Sequence, residues 1–160
     1  MTVNKITEYF EADHDRLDEL FNDFQKHKRT NYPRARECFT AFQFGLQRHI
    51  VWEEEILFPL FEQKTATAFG GPTYVMRMEH RQIAEHLEAI SNRVKIADLD
   101  TDEEEQKLLT ALRLHNQKEE YVLYPAIDQA TNEEEKEMVF NTMKNIPEER
   151  YVSSSEKLVL

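Results

Sequence analysis

The chain has 160 residues, of which only three are glycine and five are proline, and its formal net charge is −11. This length suits one domain with its own core, the scarcity of turn residues favours long helices, and the negative charge argues against nucleic acid and membranes as partners. The single cysteine, Cys38, excludes an internal disulfide and a thiolate-rich metal centre. No apolar run approaches the length of a membrane span and no signal-peptide core is found, so we expect a cytoplasmic protein.

The first half of the chain contains two predicted amphipathic helices. Apolar residues recur with a helical period from Ile6 to about Lys28, which predicts the first helix. The second helix starts near Pro33 and continues to about Gln63, and Pro59 is expected to bend or end it.

The second half repeats this organisation. A break over residues 65–73 precedes a third helix that ends near Ala97. Acidic residues at 100–104 open a fourth helix, which ends near Pro125 or a few residues later. A shorter fifth helix is predicted from Asn132, because Glu135 completes a capping box there.

Four long helices joined by short loops must run up and down around one core. We therefore predict an all-α, up-down-up-down four-helix bundle over residues 1–146, with a short fifth helix near its end. Residues 147–160 are predicted to form a C-terminal tail.

The two halves are copies of one helical hairpin, related by an offset of 66 residues. His49–Pro59 reads HIVWEEEILFP, and His115–Pro125 reads HNQKEEYVLYP. At the same offset, Asp13–His14 in the first helix matches Glu79–His80 in the third. Such self-similarity predicts that the two halves place equivalent side chains in equivalent positions.

The spacing of this repeat predicts that six polar side chains converge in one layer of the bundle. His14 and His49 are 35 residues apart, and each lies at the same distance from the predicted turn between them. Within each HxxxE motif the two side chains share one helix face. Buried carboxylates are costly unless they are paired or coordinate a metal. The candidate metal ligands are His14, His49, Glu53, His80, His115 and Glu119.

The number and type of these ligands indicate the metal. Four imidazoles and two carboxylates are too many for one tetrahedral zinc ion, but they suit two ions that share bridging carboxylates. Nitrogen and oxygen donors fit non-haem iron, with manganese or zinc as substitutes in vitro. Glu53 and Glu119 are the expected bridges, each with a histidine one turn earlier.

Several other residues keep alternative interpretations. Asp18, one turn after His14, is either a solvated acid or an extra ligand, and Glu54 and Glu120 either orient ligands or face water. Surface or packing roles are predicted for the remaining candidates, which are His27, His86, Trp52, Tyr121 and Tyr124.

In these motifs the chain resembles the haemerythrin-like family, the HHE cation-binding domains, over roughly Lys5 to Ile127. The resemblance rests on His-xxx-Glu-Glu-xx-Leu-(Phe/Tyr)-Pro, which occurs twice and is accompanied by His14 and His80. It implies a di-iron centre with an oxo or hydroxo bridge, held by the six candidate ligands. The order His before Glu, at a spacing of four, differs from the Glu-x-x-His motif of ferritin-like proteins.

One position departs from the oxygen-carrying haemerythrins. They have a second histidine one turn after the third-helix histidine, where this chain has Ala84. In ligand count the chain is more similar to bacterial haemerythrin-like proteins, including those linked to repair of iron–sulfur clusters. An exogenous ligand is then expected to complete the site.

Three classes of function remain open from the sequence. The first is a protein that binds or senses O2, nitric oxide or peroxide. The second is an enzyme of oxidative or nitrosative stress, which donates iron for iron–sulfur cluster repair or turns over peroxide or nitric oxide. The third is an iron store or a metal-dependent regulatory module. A redox partner is compatible with each, and the oligomeric state is left undetermined.

Overall fold

The computed structural model describes residues 5–67 and 71–151, and within these ranges every regular element is helical. In chain order the α-helices are α1 (Lys5–His27), α2 (Tyr32–Trp52), α3 (Phe58–Thr65), α4 (Pro72–Lys95), α5 (Asp102–Lys118), α6 (Tyr124–Ala130) and α7 (Glu133–Asn145). A first π turn, Glu53–Leu57, joins α2 to α3, and a second, Glu119–Leu123, joins α5 to α6.

The helices form the predicted bundle. Its four arms are α1, α2 with α3, α4, and α5 with α6; within each hairpin the arms pack closely, as α1 does on α2 and α4 on α5. The prediction of an all-α, up-down-up-down bundle with a short fifth helix is therefore confirmed. Among the described residues, no helix is long and apolar enough to cross a membrane.

Each π turn ends two residues before the proline of its motif. The N–H of Phe58 bonds to the carbonyl of Glu53, and the N–H of Tyr124 bonds to the carbonyl of Glu119, so each bond spans five residues instead of four. Proline lacks an N–H, and its ring clashes with the carbonyl four residues earlier. A π turn, which is wider than an α turn, accommodates the proline so that the helix continues. The second arm therefore continues through Pro59 to the end of α3 at Thr65.

Two apolar clusters fill the core, one on each side of a polar layer. The upper cluster contains Leu17, Phe21, Phe42, Leu46, Ile50, Ile83 and Leu112, among others. The lower cluster contains Ile6, Phe10, Leu57, Phe58, Leu123, Tyr124 and Ile127, among others. The candidate ligands lie between them, and the apolar surroundings keep bulk water away from this layer.

The lower end of the bundle is closed by α7 and the residues after it. Asn132 and Glu135 form the predicted capping box at the start of α7. Tyr151, in the predicted tail, is buried, and its hydroxyl accepts a hydrogen bond from Nε1 of Trp52 at 2.7 Å.

Candidate metal centre

The six predicted ligand residues lie at one level of the bundle. Each of the four arms contributes a histidine, and the first residue of each π turn contributes a glutamate. None of the six is more than 4% exposed: His14, His49, Glu53, His80, His115 and Glu119. The structure thus brings together every residue that the repeat placed in this layer.

The donor atoms form two groups that share a glutamate. One group is Glu53, His80, His115 and Glu119, and the other is His14, His49 and Glu119; within each group the donor atoms lie within 4.8 Å of one another. Each group could hold a metal ion, and the two groups are adjacent.

Each glutamate turns one oxygen toward each histidine pair. Oε1 of Glu53 lies 3.1 Å from Nε2 of His80, and its Oε2 lies 3.4 Å from Nε2 of His49. Oε2 of Glu119 lies 3.2 Å from Nε2 of His115, and its Oε1 lies 3.3 Å from Nε2 of His14. Each carboxylate therefore faces both histidine pairs.

These distances fit the donor set of octahedral ions. Donors at neighbouring corners of an octahedron with bonds of about 2.1 Å lie ~3.0 Å apart. Moreover, Oε1 of Glu53, Nε2 of His80 and Oε2 of Glu119 are buried and lack a hydrogen-bond partner among the described residues. Buried polar atoms normally have a hydrogen-bond or metal partner, and a cation between these three atoms would provide one.

A carboxylate fixes the orientation of each histidine ring. Because an ionised carboxylate can only accept a hydrogen bond, the Nδ1–H of each ring donates and Nε2 faces the interior of the layer. The pairs, with their N to O distances, are His14 with Glu120 at 2.6 Å, His80 with Glu54 at 2.6 Å, His49 with Asp13 at 2.8 Å, and His115 with Glu79 at 2.9 Å.

These pairs decide one question that the sequence left open and add two residues that it missed. Glu54 and Glu120 contact ligand rings across the bundle, so their role is to orient ligands. Asp13 and Glu79 do the same for the histidines of the following arm. The repeat indicates these two residues, because Asp13 directly precedes His14 and Glu79 directly precedes His80.

Tyr124 is a correction to the sequence analysis, which assigned it to packing. Its buried hydroxyl donates to Oε2 of Glu53 at 2.5 Å and lies 3.0 Å from Oε1 of Glu119. It also lies 3.1 Å from Nε2 of His49 and 3.3 Å from Nε2 of His14. Tyr124 is therefore a seventh residue with a polar atom in the ligand layer.

Only the second copy of the repeat supplies this oxygen. The residue equivalent to Tyr124 is Phe58, whose ring stacks on His80 with a centroid distance of 5.9 Å and an interplanar angle of 10°. The half of the site around His14 and His49 consequently has a phenol, whereas the other half has only an apolar ring.

The electrostatics of the layer favour a positive charge inside it. Burial opposes ionisation of the ring, but the carboxylates of Glu53 and Asp13 outweigh this effect and raise the pKa of His49 to about 10. The pKa of His80 is raised to about 9, because the adjacent carboxylates of Glu53 and Glu54 outweigh the same burial. Without a metal, protons therefore supply the positive charge that the carboxylates require.

A small cavity of about 20 Å³ lies against the ligand layer, lined by apolar side chains of the upper cluster together with Asp18 and Asn116. This volume holds roughly one water-sized molecule. Asp18 is exposed and belongs to neither group of donor atoms. Ala84, where oxygen carriers have a histidine, is buried at 6% exposure.

Curated proteins similar to this chain share a single description. The iron-sulfur cluster repair protein YtfE of Edwardsiella ictaluri is 35% identical over 91 residues, which are 53% of this chain and 41% of that protein. The protein of the same name from Salmonella typhimurium is 30% identical over 96 residues, or 56% of this chain and 44% of its own length. The chain thus spans less than half the length of these relatives. No solved structure matches it significantly.

The family comparison extends over the whole site. The family model described as Hemerythrin HHE cation binding domain matches residues 5–127, a range that contains all four arms of the bundle, both π turns and every donor atom of the layer. The chain belongs to the haemerythrin HHE cation-binding domain family.

Proposed function

We propose that this protein is a non-haem di-iron protein whose site binds O2, nitric oxide or peroxide. The observation that carries the proposal is the buried layer in which four imidazole nitrogens and four carboxylate oxygens face one another. Such nitrogen and oxygen donors suit iron in both common oxidation states. The cation-binding family supports a metal at this position.

The pairing of donors assigns a set of residues to each ion. His14 and His49, with one oxygen each from Glu53 and Glu119, would hold the first ion. The other two histidines, His80 and His115, with the remaining carboxylate oxygens, would hold the second. Iron bound in this way supplies redox chemistry and Lewis acidity to a small ligand.

We further infer that Tyr124 is a donor to the first ion. Its hydroxyl oxygen lies between 2.5 and 3.3 Å from four donor atoms. These are the separations of about 3 Å expected for an atom that shares an octahedron with all four. Burial and the charges of Glu119 and Glu53 raise the pKa of the Tyr124 phenol well above its ordinary value, and a bound cation reverses that effect.

This asymmetry predicts where a small ligand binds. The first ion would have five protein donors, whereas the second would have four, because Phe58 replaces the phenol there. An exogenous ligand is therefore expected at the ion of His80 and His115. Ala84, where oxygen carriers have a histidine, follows His80 by one turn on the same helix.

The cavity supports a small ligand over an organic substrate. Its volume of about 20 Å³ suits a molecule of a few atoms and excludes an organic substrate. A neutral gas makes few hydrogen bonds to water, so it loses little when it enters a cavity with an apolar lining.

Iron donation to damaged iron–sulfur clusters is the second candidate function. The specific observation in its favour is that the curated relatives are named as iron–sulfur cluster repair proteins. In this case the ion with fewer protein donors would be the one released.

Metal analysis and a spectral titration test the proposal. Protein reconstituted anaerobically should bind about two iron ions per chain. Addition of nitric oxide, O2 or peroxide should then change its visible spectrum stoichiometrically. One tightly bound zinc ion per chain that persists after iron loading would refute the di-iron assignment. Quantitative loss of iron to an apo iron–sulfur protein, without stable ligand binding, would favour the repair function.

A further inference from the structure

Two cavities meet at the seam between α1 and α5. The inner one is the small cavity against the ligand layer, and the outer one is a surface groove of about 580 Å³. Asp18 from α1, with Leu112 and Asn116 from α5, lines both. At this point a single layer of side chains separates the solvent from the ligand layer.

The polar members of this layer are not held in place. Asp18 is exposed and Asn116 is half-buried, and neither side chain makes a hydrogen bond or an ion pair within the described parts of the chain. A change of rotamer therefore breaks no hydrogen bond. Leu112, the third member, is 7% exposed and packs with the upper cluster.

The internal repeat provides a comparison for this seam. The residues 66 positions away, at the seam between α2 and α4, are Ala84 for Asp18, Leu46 for Leu112 and Ile50 for Asn116. They are 6%, 5% and 4% exposed, respectively. The same positions thus form a closed apolar contact in one seam and a partly open polar one in the other.

The charge of the groove selects among small molecules. Its lining includes the carboxylates of Asp15, Asp18 and Glu120 but only one cationic side chain, Arg113. A rim with this excess of negative charge repels anions and leaves neutral molecules unaffected. The inner cavity then limits passage to molecules of about the size of water.

We propose that Asp18, Leu112 and Asn116 form the gate through which small neutral molecules reach the metal site, and that the opposite seam does not conduct them. The carboxylate of Asp18 gives the gate its preference for neutral molecules over anions. This inference rests on the proposed di-iron function, since it concerns access to that site.

Matched substitutions in the two seams test the route. Nitric oxide binding to the reduced, iron-loaded protein is followed by stopped-flow absorbance for the unmodified chain, Leu112→Phe and Leu46→Phe. Both residues line the inner cavity, so the two substitutions remove similar volume there, whereas only Leu112 also lines the outer groove. Leu112→Phe should therefore lower the association rate constant about tenfold relative to Leu46→Phe, because it alone adds bulk to the path from the solvent.

The charge of the gate is tested at Asp18, an exposed position where a substitution does not endanger folding. Asp18→Asn should raise the association rate constant of azide, an anion, by roughly threefold at low salt and should leave that of nitric oxide unchanged. The increase should disappear at high ionic strength.

The outcomes separate the gate from the proposed function. Unmodified protein that binds iron but not nitric oxide would refute the proposed function. Binding of nitric oxide with equal slowing in both phenylalanine variants, or with no slowing in either, would overturn the gate alone. Equal effects of Asp18→Asn on azide and nitric oxide would overturn the role of its charge.

Discussion

The phenol oxygen of Tyr124 lies 2.5 Å from Oε2 of Glu53, and both residues are fully buried between two apolar clusters. In the metal-free protein a single proton, which the phenol donates, lies between these two oxygens. In the proposed metal-bound protein, the two oxygens instead become neighbouring donors to one ion.

Replacement of Tyr124 by phenylalanine should change the iron centre without unfolding the bundle, because the equivalent position in the repeat is already Phe58. We expect the oxidised protein to lose a phenolate-to-iron charge-transfer absorption and one ion to bind more weakly. Visible and resonance Raman spectra check this result. Tyr121→Phe is the control, since Tyr121 is 76% exposed. A charge-transfer band that survives in Tyr124→Phe would exclude the phenol as a donor.

The two glutamates proposed as bridges should be distinguishable from their neighbours. Glu53→Gln replaces one carboxylate oxygen with an amide nitrogen and removes the negative charge between the proposed ions, so we expect the protein to retain fewer than about two ions and to lose magnetic coupling between them. Glu54→Gln disturbs only the orientation of His80 and should weaken affinity by about 10- to 100-fold with the stoichiometry unchanged. Iron analysis and electron paramagnetic resonance measure both effects, and equal losses in the two variants would show that the bridges are assigned incorrectly.

The metal-free protein should become less stable as the pH rises from about 7 to about 10. The folded-state pKa values of His49 and His80 are raised from 6.5 to about 10 and about 9. Groups with raised pKa values contribute stability that is complete below pH 6.5 and is lost as the pH passes through the folded-state values. Urea unfolding at several pH values measures this loss. Asp13→Asn should reduce it, because Asp13 helps to raise the pKa of His49.

Metal binding should show the opposite trend, since iron must displace the protons on His49 and His80. Apparent affinity should increase with pH up to about 9, and binding should release protons. Calorimetry in buffers of different protonation enthalpy counts these protons. Binding without proton release near neutral pH would mean that the metal-free histidines are already neutral.

Removal of the metal should destabilise the fold. A ligand that binds only the native state at about 1,000 times its Kd adds roughly 4 kcal/mol to the free energy of unfolding. Chelation should therefore lower the Tm of the iron-loaded protein. The matched control is Glu53→Gln, in which chelation should cause a much smaller change. An equal drop in both proteins would point to an effect of the chelator unrelated to this site.

The sequence by itself determined the bundle and the level of the ligand layer. A helical period with few turn residues leaves no other fold class, and two HxxxE motifs at a fixed offset place His49 and His115 at the same height. The side chains four residues apart share a helix face, so Glu53 and Glu119 follow directly. These are local properties of each helix, combined by one symmetry relation.

Tertiary structure alone decided the role of Tyr124 and the partners of the histidine rings. Tyrosine and phenylalanine have the same apolar periodicity, and the π turn shifts the helical phase just before this position, so the direction of its hydroxyl could not be read from the pattern. The contact between Asp13 and His49 joins two arms and depends on how they cross. Likewise, the gate at Asp18 exists because α1 and α5 leave a groove between them, and a distance between two helices is not a property of either sequence segment.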